Sequence, residues 1–468
     1  TASAPEFERN TVDIPYSLTI GPQPGVVEVG GQAFGRNYGH VFLALPLLYL
    51  LQGLSALAAP KLLIAGAWSL GLTAFAGQVS RVTGRHWIGT AGGVVALLAF
   101  VGNVATARAI PEGILALVAL QLSTLLVAAF LAVVLYRLLR LFHGKRVSVA
   151  AGVAVVAATP VGFWATIPKR HVLTAGAAIL VVYLFAVSRQ RSDRGGTLAR
   201  AGAYAVVGLL TTLHPFEAFF LFAVLVPVDL LTAPGNSLRE LAVVGFVFAC
   251  SMLPFFLVNT LISGNPVGAP RIIGGAGPGI ETTLDLGGGG EAGSGTAGGG
   301  GASGGGGDSG GGTAPGPIVT VVGFVTGFTA SLVGFLGGWM SESLAVLGEP
   351  GRLYRIFLRG GWVPELASHL NDYEAIELAF LEAFPLLAGL LWLPVASVDR
   401  VRRRVVGSPL SEPRRQTDLL AAGFAVVLAF IYLPQLPLHS QITVRYILPV
   451  VPLAVYGLAR CSVVREAL

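Results

Sequence analysis

Uninterrupted apolar runs of about twenty residues recur along most of this chain, and that single feature decides what it can fold into. A run of that length, wound as a helix, crosses the roughly 30 Å hydrocarbon core of a bilayer. With 54% of its 468 residues hydrophobic and only 12% charged, the chain has too few ionisable groups to clothe a water-soluble particle of 48.3 kDa. A soluble enzyme and a disordered scaffold are excluded on these grounds. A porin-type barrel is disfavoured because the runs are continuous and do not alternate with period two. The expectation is an all-α, polytopic transmembrane bundle of about 11 to 13 helices with interfacial helices on its outer face.

Eleven spans are expected, near 61–78, 89–107, 113–136, 147–167, 172–187, 199–213, 217–233, 241–261, 377–398, 418–436 and 446–463. Basic residues crowd into three connections: Arg137 to Arg146, Arg189 to Arg200, and Arg400 to Arg415. The positive-inside rule makes all three cytoplasmic. Parity then puts 1–60 and 262–376 outside, with 19 of the 30 basic residues inside and 11 outside. The apolar stretches 41–58 and 317–340 are accordingly read as non-crossing interfacial or re-entrant helices. The chain divides into an outer N-terminal loop (1–60), a first helical block (61–261), an outer loop (262–376) and C-terminal spans (377–468). Between Gly287 and Gly312, 17 of 26 residues are glycine, the composition of a flexible tether.

Ala199 to Thr232 is too long for one crossing and reads as a hairpin turning at His214 and Pro215. No acid is expected deep within a span. The two cysteines, Cys250 and Cys461, form no ligand or disulfide pattern. The chain opens without a Met or a basic leader, so Thr1 is read as following a processed or truncated segment.

Ionisable groups at helix ends in a membrane are expensive to keep and therefore informative. His214 and Glu217 lie one turn apart and face an outer cavity, or else Glu217 serves as a helix-start carboxylate. Lys169, Arg170 and His171 form a compact cationic turn against the positive-inside trend, suited to an anion or to snorkelling. His439, Arg445 and Tyr446 precede the last span. Arg352, Arg355 and Arg359 share a face of an expected basic amphipathic surface helix. Among the N-terminal acids, Asp13 and Glu28 are the candidate bases.

Three segments resemble a known family. In VEVGGQAFGRNYGHVFLALPLLYLL, Gly39, Leu43 and Pro46 resemble the first outer loop and following helix of the GT-C superfamily of integral-membrane glycosyltransferases. FFLVNTLISGNPVGAPR, with Asn259, Gly264, Asn265 and Pro266, resembles the start of a later outer loop. VRYILPVVPLAVYGLA, with Arg445, Tyr446, Pro449 and Pro452, resembles their Arg-Tyr-x-x-Pro-x-x-Pro span. The resemblance implies about a dozen helices and a cavity that takes a polyprenyl- or dolichyl-phosphate-linked sugar. It also implies a catalytic acid in the first outer loop. The family's paired acids are absent here, so Asp13 is preferred by position and Glu28 follows.

The expected activity is sugar transfer from a polyprenyl-phosphate carrier to a protein or glycan acceptor outside the cell membrane. Lys169, Arg170, Arg271 and Arg445 would stabilise the leaving phosphate, Asp13 or Glu28 would take the acceptor proton, and His171, His214, Glu217, His439 and Tyr446 would line the cavity. Membrane lipids are expected partners and nucleic acid is not. No metal site is read from the residues, and a divalent cation stays open as a cofactor. The alternatives are a transporter or flippase for a lipid-linked or anionic substrate, and a non-catalytic membrane protein.

Overall fold

The structure, a computed structural model, describes residues 26–29, 32–35, 38–107, 110–263, 266, 337–362, 376–391, 412–436 and 442–461. The tether, the Arg400 to Arg404 cluster, Asp13, Arg271 and His439 lie outside them. The fold is helical. Two short antiparallel strand pairs accompany the helices: β1 (Val26–Val29) with β2 (Gln32–Gly35), and β3 (Gly361–Trp362) with β4 (Ile376–Glu377).

The helices, in chain order, begin with α1 (Gly39–Ser55), α2 (Pro60–Thr83), α3 (His86–Thr106) and α4 (Leu115–Arg140). Then come α5 (Lys145–Ala157), α6 (Pro160–Ala165), α7 (His171–Gln190), α8 (Arg194–Leu210), α9 (Pro215–Thr232) and α10 (Leu238–Ser263). The C-terminal part adds α11 (Pro413–Ile431), α12 (Ile442–Ile447) and α13 (Val450–Arg460). Six of these, α2, α3, α4, α7, α9 and α10, are long and apolar enough to span a membrane. Among the described residues, α8, α11 and α13 occupy three further expected spans with 17, 19 and 11 residues.

Helix α7 is the axis of the bundle, with 72% of its most apolar stretch buried against 11% and 6% in α2 and α3. Val181, Val182 and Phe185 of α7 share one core with Leu131, Leu135 and Leu138 of α4, Phe424 and Leu428 of α11, and Val451 of α13. The α2–α3 hairpin packs chiefly on itself and exposes Trp68, Leu70, Phe75, Leu97 and Leu98. Apolar surface this continuous is stable where lipid tails, not water, are the solvent. A left-handed Gly84, at φ 69°, ends α2 and turns the chain into α3.

Helix α1 lies along α4. Val41, Ala44, Leu48 and Leu51, at helical spacing, pack on Leu115, Ala119 and Leu120. Its start is fixed by Gly39 N–H donating to Thr212 O at 3.0 Å and by a 2.8 Å hydrogen bond between His40 Nε2 and Ser123 Oγ.

Three expected elements differ in the structure. The span at 147–167 is broken between α5 and α6. Pro160 has no N–H for a continuing helix and forces the preceding Thr159 into an extended conformation (φ −134°, ψ 167°). Thr159 Oγ1 then caps α6 by accepting from Val161 N–H at 3.2 Å. The span expected at 377–398 is also not continuous: 380–383 is a single helical turn and Pro385 opens a 3₁₀ segment to Leu391. The Arg352 to Arg359 surface helix is likewise corrected. A short α turn passes into a π turn at Tyr354–Leu358, and Arg352 donates to the carbonyls of Leu436 and Pro434, both at 2.5 Å. It caps orphan backbone acceptors beyond α11 and does not stand free on a surface.

The predicted turn at His214 and Pro215 is present. Consequently α7 and α9 start at one end of the bundle while α8 and α11 finish there, and their other ends gather Arg189, Arg200, Asp229 and Asp418.

Candidate functional site

Pro215 opens α9 at a position where its missing N–H is no loss. Just before it, His214 is extended (φ −160°, ψ 96°) and caps the helix, its Nδ1 accepting from Glu217 N–H at 3.3 Å. That role leaves the ring proton on Nε2. Burial, followed by the charge of Arg170, pushes the His214 imidazolium down to about 3, with Glu217 pulling the other way. The ring is therefore neutral at ordinary pH, and its approach to Glu217 Oε1 at 3.8 Å is not an ion pair.

Glu217 itself is fully buried. Its Oε2 accepts from Thr174 Oγ1 of α7 at 2.6 Å and its Oε1 accepts from the Tyr432 hydroxyl that follows α11. Three separate elements thus converge on one carboxylate. Arg170, one residue before α7, supplies positive charge facing Glu217, Tyr432 and Tyr446. His171 begins α7 and meets the Tyr446 ring edge-on at 5.0 Å, and Tyr446 lies 5.0 Å from Tyr432. Arg445 of α12 sets its guanidinium 5.0 Å from the Tyr446 ring and 5.8 Å from the Trp164 ring.

Six sequence-selected residues, Arg170, His171, His214, Glu217, Arg445 and Tyr446, therefore belong to one cluster, and Lys169 adjoins it through the field it exerts on His171. Glu28 lies on β1 opposite Ala33. Asp13, Arg271 and His439 lie outside the described residues. Thr174, Tyr432 and Trp164 do not stand out in the sequence: each is an ordinary residue in or beside an apolar run, and only the packing gives it a partner.

Several buried donors in this cluster are left over. Arg170 Nε and Nη2, His214 Nε2 and Arg445 Nε have no hydrogen-bond partner among the described residues, and neither does His171 Nδ1. A buried polar atom left unpaired costs about 1–3 kcal/mol, so several at one place mark a position suited to an acceptor-rich group. The guanidinium groups, unused in part, match phosphate oxygens best. Beside Trp164, a mostly apolar cavity of about 280 Å³ opens where α5 breaks into α6, walled by Ala157, Pro160, Phe163, Trp164, Leu378 and Ala383. Among the described residues no group of three His, Cys, Asp or Glu side chains is placed to hold a metal ion.

The opposite end carries a second polar network, built around an acid in the last turn of α9. Asp229 of α9 is 1% exposed. It accepts from Arg189 Nη2 at 2.5 Å, Arg200 Nε at 2.9 Å, Arg200 Nη2 at 2.7 Å and the Tyr204 hydroxyl at 2.9 Å. One acid inside an otherwise apolar run is the sequence signal for it. Nearer the C-terminus, Asp418 accepts from Tyr456 at 2.6 Å and from Arg460 Nε at 2.8 Å.

No family model, curated protein or solved structure matches the chain. The functional reading therefore rests on the residues and their geometry.

Proposed function

We propose that this chain is an integral-membrane glycosyltransferase that takes a sugar from a polyprenyl-phosphate carrier at the end of the bundle where Arg170, His171, His214 and Arg445 meet. The observation that carries the reading is the set of unpaired buried donors contributed by these side chains, next to an apolar cavity large enough for part of a lipid chain. A phosphate with a hydrocarbon tail combines the two chemistries that these neighbouring features select.

In the proposed reaction an acceptor oxygen or nitrogen attacks the anomeric carbon. The bond between that carbon and the phosphate oxygen breaks, and the electron pair leaves on the phosphate. Arg170 and Arg445 stabilise the charge that develops there, an effect worth several kcal/mol in a water-poor site. The acceptor proton goes to a carboxylate, assigned to Asp13 or Glu28 on the family resemblance. Glu217, with both oxygens accepting from Thr174 and Tyr432, holds Tyr432 in place and is not the base. Transfer on the outer face of the cell membrane is part of the same proposal.

Binding of a short-chain polyprenyl-phosphate sugar to the purified protein tests the assignment of the phosphate site. Arg445→Lys keeps charge but loses the planar fork, so it should retain partial binding, and Arg445→Ala very little. Binding by Arg445→Ala as tight as the parent's would reduce Arg445 to a membrane anchor.

A second reading, a transporter for an anionic or lipid-linked substrate, draws on the Asp229 ion pairs inside α9. It predicts substrate flux through proteoliposomes without a transferred sugar.

A further inference from the structure

The apolar cavity at the break between α5 and α6 has an open rim and a closed floor. Ala157, Ala158, Phe163 and Leu378 form the rim and are exposed among the described residues, whereas Pro160 and Trp164 beneath them are buried. A chain can therefore enter from the side without displacing a buried group. No charged side chain lines the cavity. The Thr159 hydroxyl in its wall is already engaged, donating to Val155 O and accepting from Val161 N–H.

Two hydrogen bonds fix its depth. Thr124 Oγ1 of α4 donates to Ala165 O at 2.7 Å and Gln121 Nε2 to Thr166 O at 3.3 Å. These donors stand roughly 9–14 Å from the Leu115 end of α4, a helix of 26 residues. The cavity thus lies in the half of the bundle that also holds the Arg170 and Arg445 cluster.

Two contacts join it to the phosphate position. Trp164 faces the Arg445 guanidinium at 5.8 Å, and the 380–383 turn that carries Ala383 packs on α12, the helix of Arg445. Arg445 is itself partly exposed, so an anion can reach it. An amphiphile with its phosphate at Arg445 places the carbons nearest the phosphate against Trp164. Size then sets how much of the chain fits. A water-sized group occupies about 30 Å³, so a cavity of about 280 Å³ takes roughly nine carbon-sized groups, close to two five-carbon isoprene units.

We propose that this cavity seats the two isoprene units next to the carrier phosphate and selects the carrier by that proximal part of its chain, the units beyond lying in lipid. The assignment rests on the polyprenyl-phosphate reading above and adds which part of the carrier the protein grips.

The test is binding of four probes to the purified full chain in detergent: inorganic phosphate and the monophosphates of dimethylallyl, geranyl and farnesyl alcohol, which carry none, one, two and three units. Each buried CH₂ is worth about fourfold in affinity, so each seated unit should tighten binding by at least about tenfold, and the step from geranyl to farnesyl phosphate should stay under about threefold. Ala157→Leu, at an exposed helical position on the rim, fills the cavity. It should return geranyl phosphate to the affinity of dimethylallyl phosphate or below, with inorganic phosphate unchanged. Leu378→Ala enlarges the cavity from its other side, should move the plateau toward farnesyl phosphate, and covers the case of poor folding in Ala157→Leu. Geranyl phosphate bound no tighter than inorganic phosphate, an equal gain at the third unit in the parent, or parent-like chain selection in both variants would overturn the proposal. If Arg445→Ala weakens all probes alike while no chain step is seen, the phosphate site stands and the cavity assignment falls. If the chain steps appear but no sugar is ever transferred, the transfer reading falls and the cavity keeps its assignment as the seat of a prenyl phosphate.

Discussion

Tyr432 donates its hydroxyl to Oε1 of Glu217 although 215 positions separate them in the chain. This bond ties the end of α11 to the start of α9 and fixes the C-terminal helices against the central α7 at the cluster. Tyr432→Phe deletes the donor to a fully buried carboxylate and should destabilise the protein by about 1.5–3 kcal/mol. Thermal unfolding in detergent should show it as a lowered midpoint, and donor affinity should fall with it because Arg170 loses an ordered neighbour.

Asp229→Asn leaves Arg189 and Arg200 buried with no countercharge. Breaking such a buried arrangement costs about 3–5 kcal/mol, so this variant should express poorly or unfold well below the parent. Asp418→Asn should be milder, because the Asp418 side chain is 34% exposed and water screens its partner Arg460. Comparing the two by size-exclusion chromatography after heating checks the order, which the structure requires to be Asp229 worse than Asp418.

Neighbouring glycines in α3 make a sharper packing test. A Cβ on Gly92 would stand 2.0 Å from Ala76 Cβ of α2, whereas a Cβ on Gly93 meets nothing within 4 Å. Ala76 Cβ is attached directly to the backbone and cannot swing away, so Gly92→Leu should force the α2–α3 hairpin apart and lower the yield of folded protein. Gly93→Leu should leave the yield near the parent's, because the helix loses only a flexible residue on an open face.

Sidedness follows from the arginine distribution. With Cys250 and Cys461 replaced, a single cysteine at the exposed Thr166 should react with an impermeant maleimide on intact cells. One at the exposed Ser192, at the other end of α7, should react only after permeabilisation. The reverse pattern would invert the orientation and move the proposed transfer to the cytoplasmic face.

Hydropathy alone makes the long central helices readable. The expected 113–136 and 172–187 correspond to α4 and α7, and the His214–Pro215 turn follows from length alone. Hydropathy fails where an average hides a local rule. Pro160 breaks one expected span, and Pro385 with the β3–β4 pairing prevents another. The site is half legible for a related reason. Arg170, His171, His214 and Arg445 stand out because ionisable groups near a membrane are costly, yet nothing local ties them to one another. Tyr432 and Thr174 resemble any residues of an apolar helix until α7, α9 and α11 pack. Asp229 is visible as an acid in an apolar run, but its partners Arg189 and Arg200 lie 40 and 29 residues away.

The most direct measurement is sugar transfer by the purified full chain in detergent, using a labelled polyprenyl-phosphate sugar and a membrane glycoprotein or glycan acceptor. Label in the acceptor and an equal amount of released polyprenyl phosphate should appear together, with Arg170→Ala and Arg445→Ala each reducing the rate by about a hundredfold, the scale of losing one group that stabilises developing charge. Donor bound but never cleaved by the parent protein, or parent-like turnover in both arginine variants, would contradict a glycosyltransferase site at this end of the bundle.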